Sequence, residues 1–239
     1  MKLITVGSGS HGNCYLVEKD GSYLALDAGC SWKEVLKACD FNVTAIDACL
    51  VSHVHRDHCS NYRDFVKNGI PCYSNEDTSE ALTAVYGEKI LPLKDKKVFS
   101  ADFGRYRIIP FYVPHEETPN SAFIVIWEDG TKLFYATDFE YIPFKLKTWD
   151  IDHFLIAINH SEDIPEGVEA REHRIRGHSS LETVKKFLEL SVTENCKSVT
   201  ACHLSGSYAD PEKIQSELRS LLGNNIKVNI ARKGETINL

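Results

Sequence analysis

The chain has 239 residues, with 27 Lys and Arg against 34 Asp and Glu, and a formal charge of −7 when its ten His are counted neutral. At 43% apolar residues it can bury a sizeable core, which excludes global disorder. No apolar run approaches the ~20 residues that span a bilayer, so no membrane partner is expected. The acidic balance argues against a protein that coats nucleic acid non-specifically, but it leaves room for an enzyme with a local basic groove. Two bound divalent cations would bring the charge to −3.

The opening Met1-Lys2-Leu3-Ile4-Thr5-Val6-Gly7 lacks the long apolar stretch and small-residue cleavage site of a signal peptide, so a cytoplasmic location is expected. Eight cysteines (Cys14, Cys30, Cys39, Cys49, Cys59, Cys72, Cys196, Cys202) are scattered without a C-x-x-C pair. They read as reduced, mostly core thiols, and the spacing disfavours a Cys-type zinc site. There is no repeat, low-complexity tract or linker, so residues 1–239 are taken as one domain.

In chain order, Leu3–Val6, Cys14–Val17 and Tyr23–Leu26 read as strands, the last two joined around Asp20-Gly21. Ser31 is placed to cap a helix over Trp32–Ala38, with Glu34 completing a capping box. Ala48–Val51 is a short buried strand. A helix should follow Asp57, and another should begin near Asn75 with Glu76 and Asp77 in its first turn. Val98–Phe99, Tyr106–Val113, Ala122–Trp127 and Lys132–Ala136 read as strands, with Glu128-Asp129-Gly130 making the last two a hairpin. Phe154–Ile158 and Val199–Cys202 are further strands. Ser179–Leu190 has helical apolar spacing, and Pro211–Leu222 is a helix opened by Asp210 with Pro211 at its first position. Hairpins followed by β-α-β units favour a layered α/β fold over an all-β barrel.

The densest chemical signal is Ser52-His53-Val54-His55-Arg56-Asp57-His58, just past a strand end. Three imidazoles and a carboxylate in six positions suit borderline divalent ions such as Zn²⁺ or Mn²⁺. His53 and His55, two apart on extended chain, should point the same way; Asp57 and His58, being adjacent, should diverge and serve different ions or roles. His115, Asp138 and His203 each follow a strand, where loops converge at an open sheet edge. Each alone reads as structural. Together with the first cluster they make a binuclear site the better reading.

Asp27, His53-x-His55-x-Asp57-His58, His115, Asp138 and His203, in this order, resemble the metallo-β-lactamase-fold hydrolases over nearly the whole chain. The opening Gly7-Ser8-Gly9-Ser10-His11-Gly12-Asn13-Cys14, with Pro114-His115-Glu116, Gly177-His178-Ser179-Ser180 and His203-Leu204-Ser205, is similar to the WalJ/YycJ-like branch, which includes DNA exonucleases and phage-borne relatives. The resemblance implies a four-layer αβ/βα sandwich. It implies one ion on His53, His55 and His115, a second on Asp57, His58 and His203, and Asp138 bridging both, with Asp27 orienting ligands from behind. A bridging hydroxide would be the nucleophile, and Asp57 would both hold metal and handle the proton of the water. His178 would meet the scissile phosphate or the leaving group. Ser8, Ser10, Asn13, Asn159, His160, Arg174 and Arg176 are the substrate-binding candidates.

Two departures stand out. Ala157 occupies the place, two residues before Asn159, where the branch usually has Glu, and His11 stands where a second Ser is common. His11 reads as solvated, and His153 and His173 are read as having no functional role. The loop at 7–13 lacks the Gly-Lys-Ser/Thr ending of a nucleotide P-loop; it reads equally as a tight turn and as backbone N–H groups facing a phosphate. Residues 171–186 carry five cations and two anions, a net +3, the richest basic stretch. His178 is placed at a helix start, where Ser179 and Ser180 add donors for an anion.

The expectation is a binuclear metal-dependent phosphodiesterase, a DNA exonuclease rather than one acting on RNA. It would carry two divalent ions, Zn²⁺ first and Mn²⁺ as alternative, and no appended cofactor domain. Its rival is a hydrolase of a small thioester, lactam or lactone, which would not need the basic segment with His178. A relic scaffold has no need of all seven ligands, and a redox iron site would use the same donors.

Overall fold

The computed structural model describes residues 1–100, 105–161 and 177–239. One seven-stranded sheet holds β1 (Lys2–Gly7), β2 (Cys14–Lys19), β3 (Ser22–Leu26), β4 (Ile46–Leu50), β5 (Cys72–Asn75), β6 (Leu91–Leu93) and β14 (Thr236–Asn238). The other holds β7 (Phe99–Ser100), β8 (Tyr106–Val113), β9 (Asn120–Trp127), β10 (Lys132–Ala136), β11 (His153–Ala157), β12 (Ser198–Cys202) and β13 (Lys227–Ile230). Among the described residues the α-helices are α1 (Trp32–Ala38), α2 (Arg56–Cys59), α3 (Tyr62–Lys67), α4 (Glu76–Tyr86), α5 (Leu181–Ser191) and α6 (Pro211–Leu222).

The core explains the layering. Leu3, Tyr15, Leu24, Leu26 and Leu50 of the first sheet face Ile108, Phe123, Val125 and Tyr135 of the second in one apolar cluster. Val35 of α1 and Tyr62 and Phe65 of α3 cover the back of the first sheet with Cys14, Leu16 and Cys49. Leu181, Val184, Phe187 and Leu188, on one stripe of α5, join Ile214 and Leu218 of α6 on the back of the second. The result is the expected αβ/βα sandwich. β9, β11 and β12 are buried along their whole length because each lies between a helix layer and the other sheet.

β3 to β6 run parallel, as do β10 to β13. The carboxyl ends of β3, β4, β10, β11 and β12 therefore gather their loops at one edge of the sandwich. No helix among the described residues is long and apolar enough to cross a membrane. All eight cysteines are buried free thiols.

Some local expectations need correction. The capping box at α1 does not form: the Ser31 hydroxyl donates to Glu34 Oε2 at 2.8 Å and makes no cap bond to the backbone. Glu34 also pairs with Lys233, so its carboxylate is shared between Ser31 and that lysine. β5, β6, β13 and β14, each of three or four residues, add to the expected strands. They are too short to show a period, and β6 carries Pro92 on a sheet edge. α5 starts at Leu181, with the Ser180 side chain accepting from Thr183 N. His178 therefore lies ahead of the cap.

His153 is a core histidine. It is buried in β11, with Nδ1 2.8 Å from Ser198 Oγ on β12, and burial lowers its pKa to about 4. A folded-state pKa below the ordinary ~6.5 favours the neutral ring, so its stabilising effect is complete above ~6.5 and is lost as pH falls towards 4. In the metal-free protein, the unfolding free energy of His153→Gln relative to wild type should shift by about 2 kcal/mol in favour of the variant between pH 7.5 and 4.5. Urea denaturation at the two pH values measures this; a pH-independent difference would show that the folded ring charges freely.

Candidate metal centre

The edge where the loops gather is built on unusual backbone. Asp27 follows β3, Asp138 lies just past β10 and His203 follows β12, and all three adopt left-handed backbone, with φ of 60°, 44° and 50°. Such φ values are rare for residues other than glycine and are held by surrounding contacts. At Asp138 the contact is Asn120 of β9, whose Nδ2 donates to the carbonyls of Thr137 (2.8 Å) and Asp138 (2.5 Å). The loop after β3 packs directly on α2: Ala28 N donates to His58 O, and Asn13 N to Asp57 O, each at 2.7 Å. A Cβ on Gly29 would lie 1.7 Å from Asp57 O, so only glycine lets these backbones meet.

Two sets of metal-competent atoms converge there, one of His53, His55 and His115, the other of Asp57, His58, Asp138 and His203. In the first set, His115 Nε2 lies 3.1 Å from His55 Nδ1. His115 Nδ1 donates to Gly177 O at 2.6 Å, which leaves Nε2 as the free lone pair. His53 Nδ1 meets Ser52 Oγ at 2.9 Å, while its Nε2 is buried with no hydrogen-bond partner. Burial holds His115 down to about pKa 4, and burial with the nearby His58 lowers His53 well below the usual histidine range. A neutral ring with a buried nitrogen that lacks a hydrogen-bond partner, as at His53, is what a divalent ion requires.

In the second set, Asp138 Oδ2 lies 3.0 Å from His58 Nε2, 3.4 Å from His203 Nε2 and 3.7 Å from His53 Nε2. One carboxylate thus stands between the two sets. Asp57 Oδ2 is 3.3 Å from both His58 Nε2 and His203 Nε2. The expectation that Asp57 and His58 diverge is overturned: both lie on the single turn α2, where helical backbone, unlike strand, lets neighbouring side chains reach one point. Burial disfavours charge on His58, but Asp27 and Asp138 outweigh it and raise its pKa well above the usual range. Burial likewise opposes ionisation of Asp57 and Asp138, and His203 with His58 overrides it, holding both carboxyls below the usual range. The donor chemistry of each set fits a divalent ion.

Asp27 is fully buried behind His58. Its Oδ2 accepts from His58 Nδ1 (2.6 Å), Ser52 Oγ (3.1 Å) and Tyr135 OH (2.5 Å), and its Oδ1 from Ser52 N (2.8 Å). His178 sits at the rim, its side chain 25% exposed and its Nδ1 3.5 Å from Asp138 Oδ1. Its ring centroid is 5.9 Å from that of His115 and 6.1 Å from that of His203, so it overlooks both sets. The Ser179 hydroxyl donates to Ala157 O (2.6 Å) and Ser180 caps α5, so neither hydroxyl is the anion donor expected at a helix start.

A cleft of about 650 Å³ opens beside this rim, with Ser10, His11, His160, His178, His203 and Tyr208 among its lining. Ser8 lines it too, but its Oγ accepts from Tyr15 OH (3.0 Å) and His203 N (2.9 Å). Asn13 is corrected from a substrate contact to a buried brace, and Asn159, which lines the cleft, also braces the ligands. Asn13 is fully buried, with Nδ2 3.1 Å from His58 Nε2 and 3.3 Å from Asp57 Oδ2. Asn159 Nδ2 donates to Asp138 Oδ1 at 3.0 Å while its Oδ1 accepts from Ser179 N. In the 7–13 loop, Gly9 N and Gly12 N are bonded within the loop, which favours the tight-turn reading. Arg174 and Arg176, with the rest of the basic stretch from 171 to 176, lie outside the described residues. Ala157 is buried in β11, where its chain makes no polar contribution to the site.

Sequence reasoning missed Ser52, Asn120, Tyr15 and Tyr135. Ser52 adjoins the His motif and could have been suspected; the other three sit in strands as ordinary core or turn residues.

A two-sheet αβ/βα sandwich with paired His/Asp clusters at one sheet edge defines a metallo-β-lactamase-fold hydrolase with a site able to hold metal. The chain belongs to the Beta-lactamase superfamily domain family, whose model matches residues 24–190. It is 27% identical to Exodeoxyribonuclease YycJ of Bacillus anthracis over 216 residues, 84% of this chain and 81% of that protein. It is 28% identical to Exodeoxyribonuclease WalJ of Streptococcus pneumoniae over 174 residues, 68% of this chain but only 64% of that relative's length. Among solved structures, the metallo-beta-lactamase fold protein YhfI from Bacillus subtilis superposes with a TM-score of 0.76 at 16% identity, covering 99% of this chain and 98% of that one.

Proposed function

We propose that this protein is a binuclear metal-dependent phosphodiesterase that removes nucleotides from DNA ends. The observation that carries this reading is the Asp138 carboxylate, within 3.7 Å of imidazoles from both ligand sets. His53, His55 and His115 would hold one ion, Asp57, His58 and His203 the other, and Asp138 would touch both. Bound there, Zn²⁺ or Mn²⁺ would supply Lewis acidity towards water and a phosphoryl oxygen. The relatives named as exodeoxyribonucleases support DNA as the substrate. The buried thiols suit a reducing cytoplasm.

The chain's own residues divide the remaining work. Asp57, 24% exposed at its side chain, faces the rim and can orient a water molecule and take its proton. His178 can hold a phosphate oxygen or give a proton to the departing sugar oxygen. Ser10, His11 and His160 offer polar contacts in a cleft whose lining, among the described residues, contains no carboxylate to repel phosphate.

His178→Ala tests the reading. Its rate on natural DNA should fall at least tenfold further than its rate on an activated aryl phosphodiester, because a good leaving group needs little protonation. Equal losses would leave His178 as a phosphate holder only. If the wild type ignores DNA yet turns over a lactam, lactone or thioester efficiently, the nuclease reading fails and the small-molecule reading replaces it.

A further inference from the structure

Two tyrosines cross between the sheets directly beneath the second ligand set. Tyr135 belongs to β10 of the second sheet, yet its hydroxyl donates to Asp27 at the end of β3 in the first, at 2.5 Å. Asp27 in turn accepts from His58 Nδ1 at 2.6 Å. Tyr15 belongs to β2 of the first sheet, and its hydroxyl donates to Ser8 Oγ at 3.0 Å. That oxygen accepts the backbone N–H of His203, which follows β12 of the second sheet, at 2.9 Å. Each sheet thus sends a hydroxyl towards a residue serving the same ion. Both tyrosines are fully buried, and their rings meet edge to face with centroids 5.9 Å apart.

The two chains of contacts end on neighbouring rings. His58 and His203 are stacked, with centroids 5.1 Å apart and planes 7° from parallel. Neither chain reaches His55 or His115, and the first set is met at His53, whose Nδ1 lies 2.9 Å from the Ser52 hydroxyl that also bonds Asp27. His203 has left-handed backbone, and the bond on its N–H helps hold the backbone from which its ring projects. Asp27 also accepts from Ser52 N at 2.8 Å and from Ser52 Oγ at 3.1 Å, and Tyr135 adds the bond from the opposite sheet.

We infer that Tyr15 and Tyr135 are positioning residues, a reciprocal cross-sheet latch that sets the spacing of His58 and His203 and so selectively supports the ion held by Asp57, His58 and His203. This rests on the reading that the two sets hold metal. Partners behind metal ligands commonly change affinity by ~10- to 100-fold when removed. Loss of a general packing contact would instead weaken both ions alike.

The test is Co²⁺ titration of the metal-free full chain, followed by its visible spectrum, for wild type, Tyr135→Phe, Tyr15→Phe and Ser8→Ala. Wild type should take up two equivalents. Each variant should keep one site within about twofold of wild type and bind the other at least ~10-fold more weakly. The spectrum at one equivalent should match that of His58→Ala, which retains the His53/His55/His115 set, and not that of His115→Ala. Ser8→Ala guards against misfolding of a core variant, since it breaks the Tyr15 arm without altering the core. Unchanged affinities, or equal weakening of both sites, would overturn the latch while leaving the metal centre standing. A wild type that binds no Co²⁺ would overturn the latch and the proposed function together.

Discussion

Asp57→Ala is expected to lower kcat by at least ~10²-fold, the range for losing a positioned acid or base. The side chain stands at the rim, with Oδ2 3.3 Å from His58 and His203, and nothing in the core depends on it. The backbone does matter, because Asp57 O accepts from Asn13 N and abuts Gly29, but alanine preserves both contacts. Circular dichroism and thermal unfolding should therefore remain close to wild type. Asp57→Asn separates two roles: it keeps an oxygen that can touch metal but cannot take a proton. If Asp57 acts mainly as a ligand, excess metal should restore much of the Asn variant's turnover; if it handles the proton, kcat stays low at saturating metal. Near-normal turnover of the Ala variant would remove Asp57 from the mechanism.

How much of this was legible depended on whether the signal was local. Trp32–Ala38, Tyr106–Val113, Lys132–Ala136 and Pro211–Leu222 are found where the sequence predicts them. Asp210 accepts from Glu212 N and Lys213 N, a cap visible in the residue order alone. The His-rich motif was legible because polar residues right after a buried strand have few structural reasons to be there. By contrast, the bracing roles of Asn13 and Asn159 were not legible, because only tertiary packing shows that their partners are Asp57, His58 and Asp138. The helix start proposed for His178 failed by two residues, enough to exchange a dipole site for a rim position. Tyr135 carried no signal at all: in Leu133-Phe134-Tyr135-Ala136 it is one more strand residue, and its partner Asp27 is 108 positions away.

Removing metal should have the largest effect of all. Neither His178 nor Asp57 can replace the Lewis acidity of two cations, so the stripped chain should cleave DNA no faster than buffer alone. Asp138→Ala should lower the affinity for both ions together, because its Oδ2 lies within 3.7 Å of His53, His58 and His203, whereas His58→Ala should lose one ion preferentially. The most direct measurement is cleavage of end-labelled DNA by the stripped full chain as Mn²⁺ or Zn²⁺ is added in counted equivalents. Nucleotide release should rise from background to a plateau at two equivalents per chain, with Asp138→Ala needing a large excess to approach it. Cleavage that survives chelation, or a chain that takes up two equivalents and leaves the DNA intact, would contradict the account.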